Sequence, residues 1–70
     1  MTHKQLVQKS YPNAQLRKEM YNFEGKAYPL YQVDQGDTNV YISNWTDTPL
    51  MAWDAAWIEV QERMLRKLES

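Results

Sequence analysis

The fold is decided by residues 48–69, TPLMAWDAAWIEVQERMLRKLE, a stretch without glycine whose one proline stands second. Thr48 suits the N-cap of a helix, and Pro49 suits the first helical position, where its missing N–H has no partner to lose. At 1.5 Å per residue, the run predicts a helix of about 30 Å. Its large apolar residues recur at spacings of three and four and predict one core-facing stripe. The stripe consists of Leu50, Trp53, Trp57, Val60, Met64 and Leu68.

A second apolar line runs along the same predicted helix. Met51, Ile58 and Leu65 recur every seven residues, and Asp54 and Gln61 lie between this line and the stripe. A small sheet covers roughly a third of a helix's circumference, so the second line needs another cover. These five residues are therefore the predicted protein-binding site, facing a second copy of the chain or another protein.

A short helix is predicted at the N-terminus. It runs from Thr2, its N-cap, to Ser10, and Leu6 and Val7 give it one apolar edge. Tyr11 is followed by Pro12, which disfavours helical backbone in the preceding residue and ends the helix. This apolar edge is the alternative cover for the second line, within one chain.

Three strands are predicted between the helices. Glu24-Gly25 forms a turn in which Gly25 takes a positive φ, and Pro29 restricts the following strand, 27–33, to an edge or a bulge. A turn at Gly36 leads to a third strand at 38–43. The expected fold is α+β in a single domain spanning 1–70, with a short N-terminal helix, a three-stranded antiparallel β-meander and a long C-terminal amphipathic helix packed on the sheet.

Composition excludes several classes of protein. The 70 residues are 43% hydrophobic and 13% aromatic, which argues against disorder, and no apolar run is long enough to predict a membrane span. The first residues are polar, so no signal peptide is expected and a cytoplasmic location is predicted. With no cysteine, disulfides and cysteine-based zinc sites are excluded.

The charge distribution argues against nucleic acid as the partner. The formal net charge is -1; residues 1–26 carry five basic and two acidic side chains, whereas residues 27–54 carry four acidic side chains and no basic one. A net charge of +3 on the first segment is too small for a phosphate-binding face.

The side chains that usually carry catalysis are sparse. His3 is the only histidine and lies near the terminus, so a hydroxyl nucleophile elsewhere lacks a base. Asp34 and Asp37 flank Gly36, but too few oxygen ligands follow for a calcium loop, and solvated turn residues are predicted. Asp54 is expected to pair with a lysine or arginine of the N-terminal part or to lie in water at the rim of the helix. No catalytic residue, metal, cofactor or small-molecule substrate is predicted.

Two stretches of the N-terminal half resemble a known family. Lys9-Ser10-Tyr11-Pro12-Asn13-Ala14 and Arg17-Lys18-Glu19-Met20 together resemble the start of the XkdW-like proteins, small products encoded among the tail genes of prophages and phage-like elements. The resemblance implies an α+β fold, no established enzymatic activity, and a location in the host cytoplasm or the virion.

The predicted function is that of a non-enzymatic phage or prophage accessory protein that binds a protein partner or forms a homo-oligomer. One alternative is an acidic inhibitor of a host nuclease or defence system, which would present its carboxylates in place of phosphates. Those carboxylates are Asp34, Asp37, Asp47 and Asp54. The other alternative is a small oligomeric structural protein of the virion or tail.

Overall fold

A computed structural model of the protein describes residues 1–36 and 40–69. Four elements follow one another along the chain: helix α1 (His3–Ser10), strand β1 (Gln15–Phe23), strand β2 (Lys26–Asp34) and helix α2 (Pro49–Glu69). The two strands form an antiparallel hairpin, α2 packs against that hairpin, and α1 packs against α2.

Both helices begin where the sequence predicts, because their capping groups are in place. The Oγ1 atom of Thr2 accepts a hydrogen bond from the backbone of Gln5, and the side chain of Gln5 accepts one from the backbone of Thr2. This reciprocal capping box satisfies two N–H groups that a helix end otherwise leaves unpaired. At α2, the hydroxyl of Thr48 accepts the N–H of Met51 at 3.1 Å. The predicted short and long helices are thus confirmed.

The hairpin turn also follows the prediction. Phe23 pairs with Lys26, and the two residues between them, Glu24 and Gly25, have φ angles of 52° and 77°. Two successive positive φ angles match the right-handed twist of the flanking strands and define a tight two-residue turn. From this turn the strands stay paired to Gln15 and Asp34.

The predicted three-stranded meander is wrong, because the structure contains a two-stranded sheet. Of the expected third strand at 38–43, residues 38 and 39 lie outside the described part of the chain. The rest makes only an isolated bridge between Tyr41 and Asp34. The amides of Ile42 and Ser43 both bind the carbonyl of Val33, and the hydroxyl of Ser43 accepts the N–H of Val33. Successive strand residues point their amides in opposite directions, so this pattern cannot continue as a ladder.

The core lies between α1, the open end of the hairpin and one side of α2. Its buried members are Val7, Ala14, Val33, Ile42, Ala52, Trp53, Ala56 and Val60. The predicted stripe on α2 is only partly correct: Trp53 and Val60 are buried and Trp57 is half-buried, but Leu50 and Leu68 are 71% and 83% exposed. Two alanines take their place on the buried side, where small side chains allow close packing.

The molecule is elongated, with extents of 47 × 23 × 22 Å. All nine residues of β1 are exposed, and β2 is buried only toward its end, at Gln32, Val33 and Asp34. The tip of the hairpin, residues 19–29, therefore projects away from the helices.

Candidate protein-binding surface

The second apolar line of α2 lies on the solvent side of the molecule. We call Met51, Ile58 and Leu65 the outer line; their exposed fractions are 49%, 56% and 58%. At 3.6 residues per turn these three side chains fall within an arc of about 40°. The buried positions of α2, such as Ala56 and Val60, lie on the opposite side of the helix. α2 is therefore apolar on two sides, and the core uses one of them.

Helix α1 does not cover the outer line. Its apolar residue Val7 is fully buried in the core, and Lys4 lies over the ring of Trp53 at 5.9 Å. α1 thus packs along the Trp53 side of α2 and leaves the outer line in solvent. The alternative in which the apolar edge of the N-terminal helix covers the outer line is therefore not what the structure contains.

Asp54 joins the two helices at the edge of the outer line. Its Oδ1 atom is hydrogen-bonded to Nδ1 of His3, the first residue of α1, and both side chains are almost half exposed. The partner of Asp54 is therefore a histidine, in place of the expected lysine or arginine. The capping box at Thr2 fixes this end of α1, which holds His3 in reach of α2.

Gln61 completes the predicted site, about two helical turns beyond Asp54. It is exposed and, like Asp54, lies beside the outer line. The five predicted site residues thus share one side of α2. They form a half-exposed apolar surface with two polar side chains. The carboxylate of Asp54 accepts hydrogen bonds, and the amide of Gln61 both donates and accepts them.

The acidic side chains do not form one surface. Asp34 is only 3% exposed; its Oδ1 atom accepts the N–H of Gly36 at 2.9 Å, and its Oδ2 atom lies 3.7 Å from Nε of Arg17. Asp37 lies outside the described residues. Asp47 is exposed, and Asp54 faces α1.

Glu59 stands on the other side of α2, within a small network of charges. Its Oε1 atom accepts hydrogen bonds from Arg63 at 2.9 Å and Arg66 at 3.0 Å. Arg63 also donates to the hydroxyl of Tyr11 at 3.3 Å and so links α2 to the end of α1. The hydrogen bond from Arg63 is the main reason why the pKa of Glu59 lies below its ordinary value of 4.5.

A further apolar surface, which the sequence reasoning missed, lies on the hairpin tip. Tyr21 and Tyr28 are directly opposite each other, and the ring of Phe23 stacks on Tyr21 with 6.3 Å between centroids. All three rings are about half exposed. Their side chains share one face because alternate residues of a strand and directly paired residues point the same way. No signal in the sequence marks this face as exposed, since alternate residues of a strand share a face whether or not that face is covered.

The described residues offer neither a metal site nor a membrane span. They hold no group of three or more histidine, aspartate or glutamate side chains that could bind a metal ion. Within residues 1–36 and 40–69, no helix combines the length and the apolar character that crossing a bilayer requires.

No protein-family model, curated protein or solved structure matches this chain. The resemblance of residues 9–20 to XkdW-like proteins therefore stays a prediction.

Proposed function

We propose that this protein is a non-enzymatic protein-binding module, and that the outer line of α2 with its neighbours Asp54 and Gln61 is its contact surface. The observation that carries the proposal is that Met51, Ile58 and Leu65 are each about half exposed on the side of α2 facing away from the core. A regularly spaced apolar line on a helix is the pattern by which helices dock on protein surfaces. Methionine at one end suits a surface that must adapt to a partner.

The resemblance to XkdW-like proteins supports a phage or prophage setting, with the host cytoplasm or the virion as the location. Either a soluble accessory protein or a small oligomeric virion component would use such a surface. The nuclease-inhibitor alternative has less support, because the burial of Asp34 removes one of its four carboxylates from any phosphate-like array.

The test compares the wild-type protein with the double variant Ile58→Lys/Leu65→Lys. Both proteins are immobilised and used to capture partners from a bacterial lysate, because the resemblance implies a phage or prophage setting. Their self-association is measured in parallel by light scattering. Glu19→Lys, at an exposed position of β1, raises the net charge by the same two units and is the control for general charge effects.

We expect the double variant to keep the circular dichroism of a folded protein and to lose every assembly that the wild type and the control form. An assembly that survives both lysines would rule out the outer line as the contact surface. A double variant that unfolds would place the line in the core.

A further inference from the structure

We infer that the partner on this surface is a second copy of the same chain, with the two α2 helices packed antiparallel about a two-fold axis. The inference rests on the proposed function and names the occupant of the surface. It rests on the order of the side chains along α2. When two copies of the helix run in opposite directions, apolar side chains face apolar ones and polar side chains face polar ones.

A parallel arrangement is unfavourable because it places each residue opposite itself. Asp54 would then face Asp54 of the second copy, at the centre of an otherwise apolar contact. Two carboxylates in one desolvated site cannot both stay ionised without a large cost. An antiparallel arrangement has no such restriction, since residues of different number face each other.

Two antiparallel registers place the outer line within the contact. In the first, the two-fold axis passes through Ile58, and Met51 faces Leu65 of the second copy. This register places Asp54 opposite Glu62, a repulsive contact that the symmetry repeats. It also leaves Leu50 opposite Arg66.

In the second register the axis passes between Trp57 and Ile58, so residue numbers facing each other sum to 115. The apolar side chains on the outer line then meet other apolar side chains of α2. The facing pairs are Leu50 with Leu65, Met51 with Met64, and Trp57 with Ile58 of the second copy.

The polar side chains match in this second register as well. Asp54 faces Gln61 of the second copy, and the amide of Gln61 can donate to the carboxylate. Because Oδ1 of Asp54 is bonded to His3, the other carboxylate oxygen is the acceptor. The contact occurs twice and contains no pair of like charges, so charge decides between the registers in favour of the second.

The length of the contact is suited to a dimer. Leu50 and Leu65 lie fifteen residues apart, about 22 Å along the helix axis. The exposed apolar side chains that it covers are Leu50, Met51, Ile58, Met64 and Leu65, which are between 46% and 71% exposed in the single chain. A two-fold axis covers this set on both copies at once.

The oligomeric state is the first test. Sedimentation equilibrium of the wild-type chain at concentrations up to about 100 μM should show a monomer–dimer equilibrium. A wild-type chain that stays monomeric over this range overturns the second copy as occupant. It leaves the proposed function standing on the capture experiment, so the two failures are distinguishable.

Disulfide cross-linking then tests the register, since the chain contains no cysteine of its own. The double variant Leu50→Cys/Leu65→Cys should form a covalent dimer in air, whereas Met51→Cys/Leu65→Cys, which matches the register centred on Ile58, should form much less. Positions 50 and 65 are too far apart on one helix for a bond within a chain, which requires Cα atoms within about 7 Å. A reversed preference, or equal yields, would overturn the proposed register.

Two charge variants give an independent readout without truncating the apolar line. Gln61→Lys places an ammonium group opposite Asp54 twice per dimer and should lower the dissociation constant roughly 2- to 30-fold at low salt. Glu62→Gln changes the net charge by the same amount and should shift the dissociation constant less than about 2-fold. Tighter association of Glu62→Gln than of Gln61→Lys would favour the register centred on Ile58 and overturn the second register.

Discussion

At the scale of single residues, the carboxylate of Glu59 is the centre of a small network of ion pairs. It accepts hydrogen bonds from Arg63 and Arg66, and Arg63 reaches Tyr11 beyond the end of α1. Glu62 lies four residues before Arg66, a spacing at which two opposite charges on a helix can pair, but the side chain of Glu59 binds both arginines. The guanidinium of Arg66 donates instead to the backbone carbonyl of Glu62 at 3.4 Å.

The lowered pKa of Glu59 predicts a dependence of stability on pH. Since the pKa is lower in the folded than in the unfolded chain, the carboxylate stabilises the fold fully above pH 4.5, and this contribution is lost as the pH falls through the lowered folded value. We expect urea unfolding below pH 4.5 to show a steeper fall in the free energy of unfolding for the wild type than for Glu59→Gln. The difference should shrink when Arg63 is first replaced by glutamine. Equal slopes for wild type and Glu59→Gln would show that the contacts of Glu59 with the arginines do not stabilise the fold.

Trp53 is the largest side chain in the core, and its environment predicts a large effect of truncation. It is 8% exposed and packs among Val7, Ala56 and Val60. Trp53→Ala should cost about 3–5 kcal/mol of unfolding free energy, enough to unfold so small a domain. Trp45→Ala, at a ring that is 39% exposed, is the matched control and should leave a cooperative thermal transition. A Trp53→Ala protein with an unchanged melting temperature would show that this face of α2 is not the core.

At the scale of elements, local signals predicted both helices and the first turn. Thr2, Thr48 and Pro49 mark helix starts by hydrogen bonds that involve only neighbouring residues, so the sequence suffices to find them. The third strand was predicted because Val40 and Ile42 show the alternation typical of a strand. It does not form, since the N–H of Val33 donates to the hydroxyl of Ser43 in place of a carbonyl of a neighbouring strand. A bond between residues ten apart is not visible in a local pattern.

The buried side of α2 was misjudged for a related reason. Weighting by size selected Leu50, Met64 and Leu68, whereas the fully buried positions of α2 include Ala52 and Ala56. How closely a sheet approaches a helix depends on tertiary packing, and small residues are favoured where the approach is close. The outer line lies in solvent, and its spacing of seven separates it from either choice of core side.

The two glycines of the turns predict different costs for the same substitution. Both have positive φ, 77° for Gly25 and 75° for Gly36, so alanine is strained at either, by about 1–2 kcal/mol. A Cβ atom at Gly25 would meet nothing within 4 Å, whereas one at Gly36 would lie 2.7 Å from the backbone oxygen of Asn13. Chemical denaturation should therefore show a clearly larger loss for Gly36→Ala than for Gly25→Ala. Equal losses would mean that the loop at Asn13 moves freely aside.

At the scale of the whole molecule, stability is concentrated at one end. The core holds both helices and the open end of the hairpin, while the tip at residues 19–29 contributes only contacts between the two strands. The outer line and the tip are two apolar surfaces on a chain of 70 residues. The outer line is visible in the sequence as apolar residues that recur every seven positions. The aromatic face of the tip is not, because Tyr21 and Phe23 would show the same alternation whether that face of the sheet was buried or exposed.

This uneven distribution predicts that the tip opens independently of the core. Tyr21→Ser/Phe23→Ser removes a stacked pair that touches only its own hairpin, and cross-strand pairs contribute about 0.2–1 kcal/mol each, so the global free energy of unfolding should fall by about 1 kcal/mol or less. Val33→Ala, at a fully buried position of the same hairpin, should cost about 1.5–3 kcal/mol.

Native-state hydrogen exchange separates the two regions directly. The amides of Tyr21 and Tyr28 should exchange through a local opening whose free energy is well below that of global unfolding, and the serine variant should lower it further. The amides of Val33 and Val60, both buried, should exchange only when the whole core unfolds, and the serine variant should leave their exchange nearly unchanged. If the tip amides instead exchanged with the global free energy, the hairpin and the helices would form one cooperative unit. The aromatic tip would then have to be held by contacts beyond its own two strands.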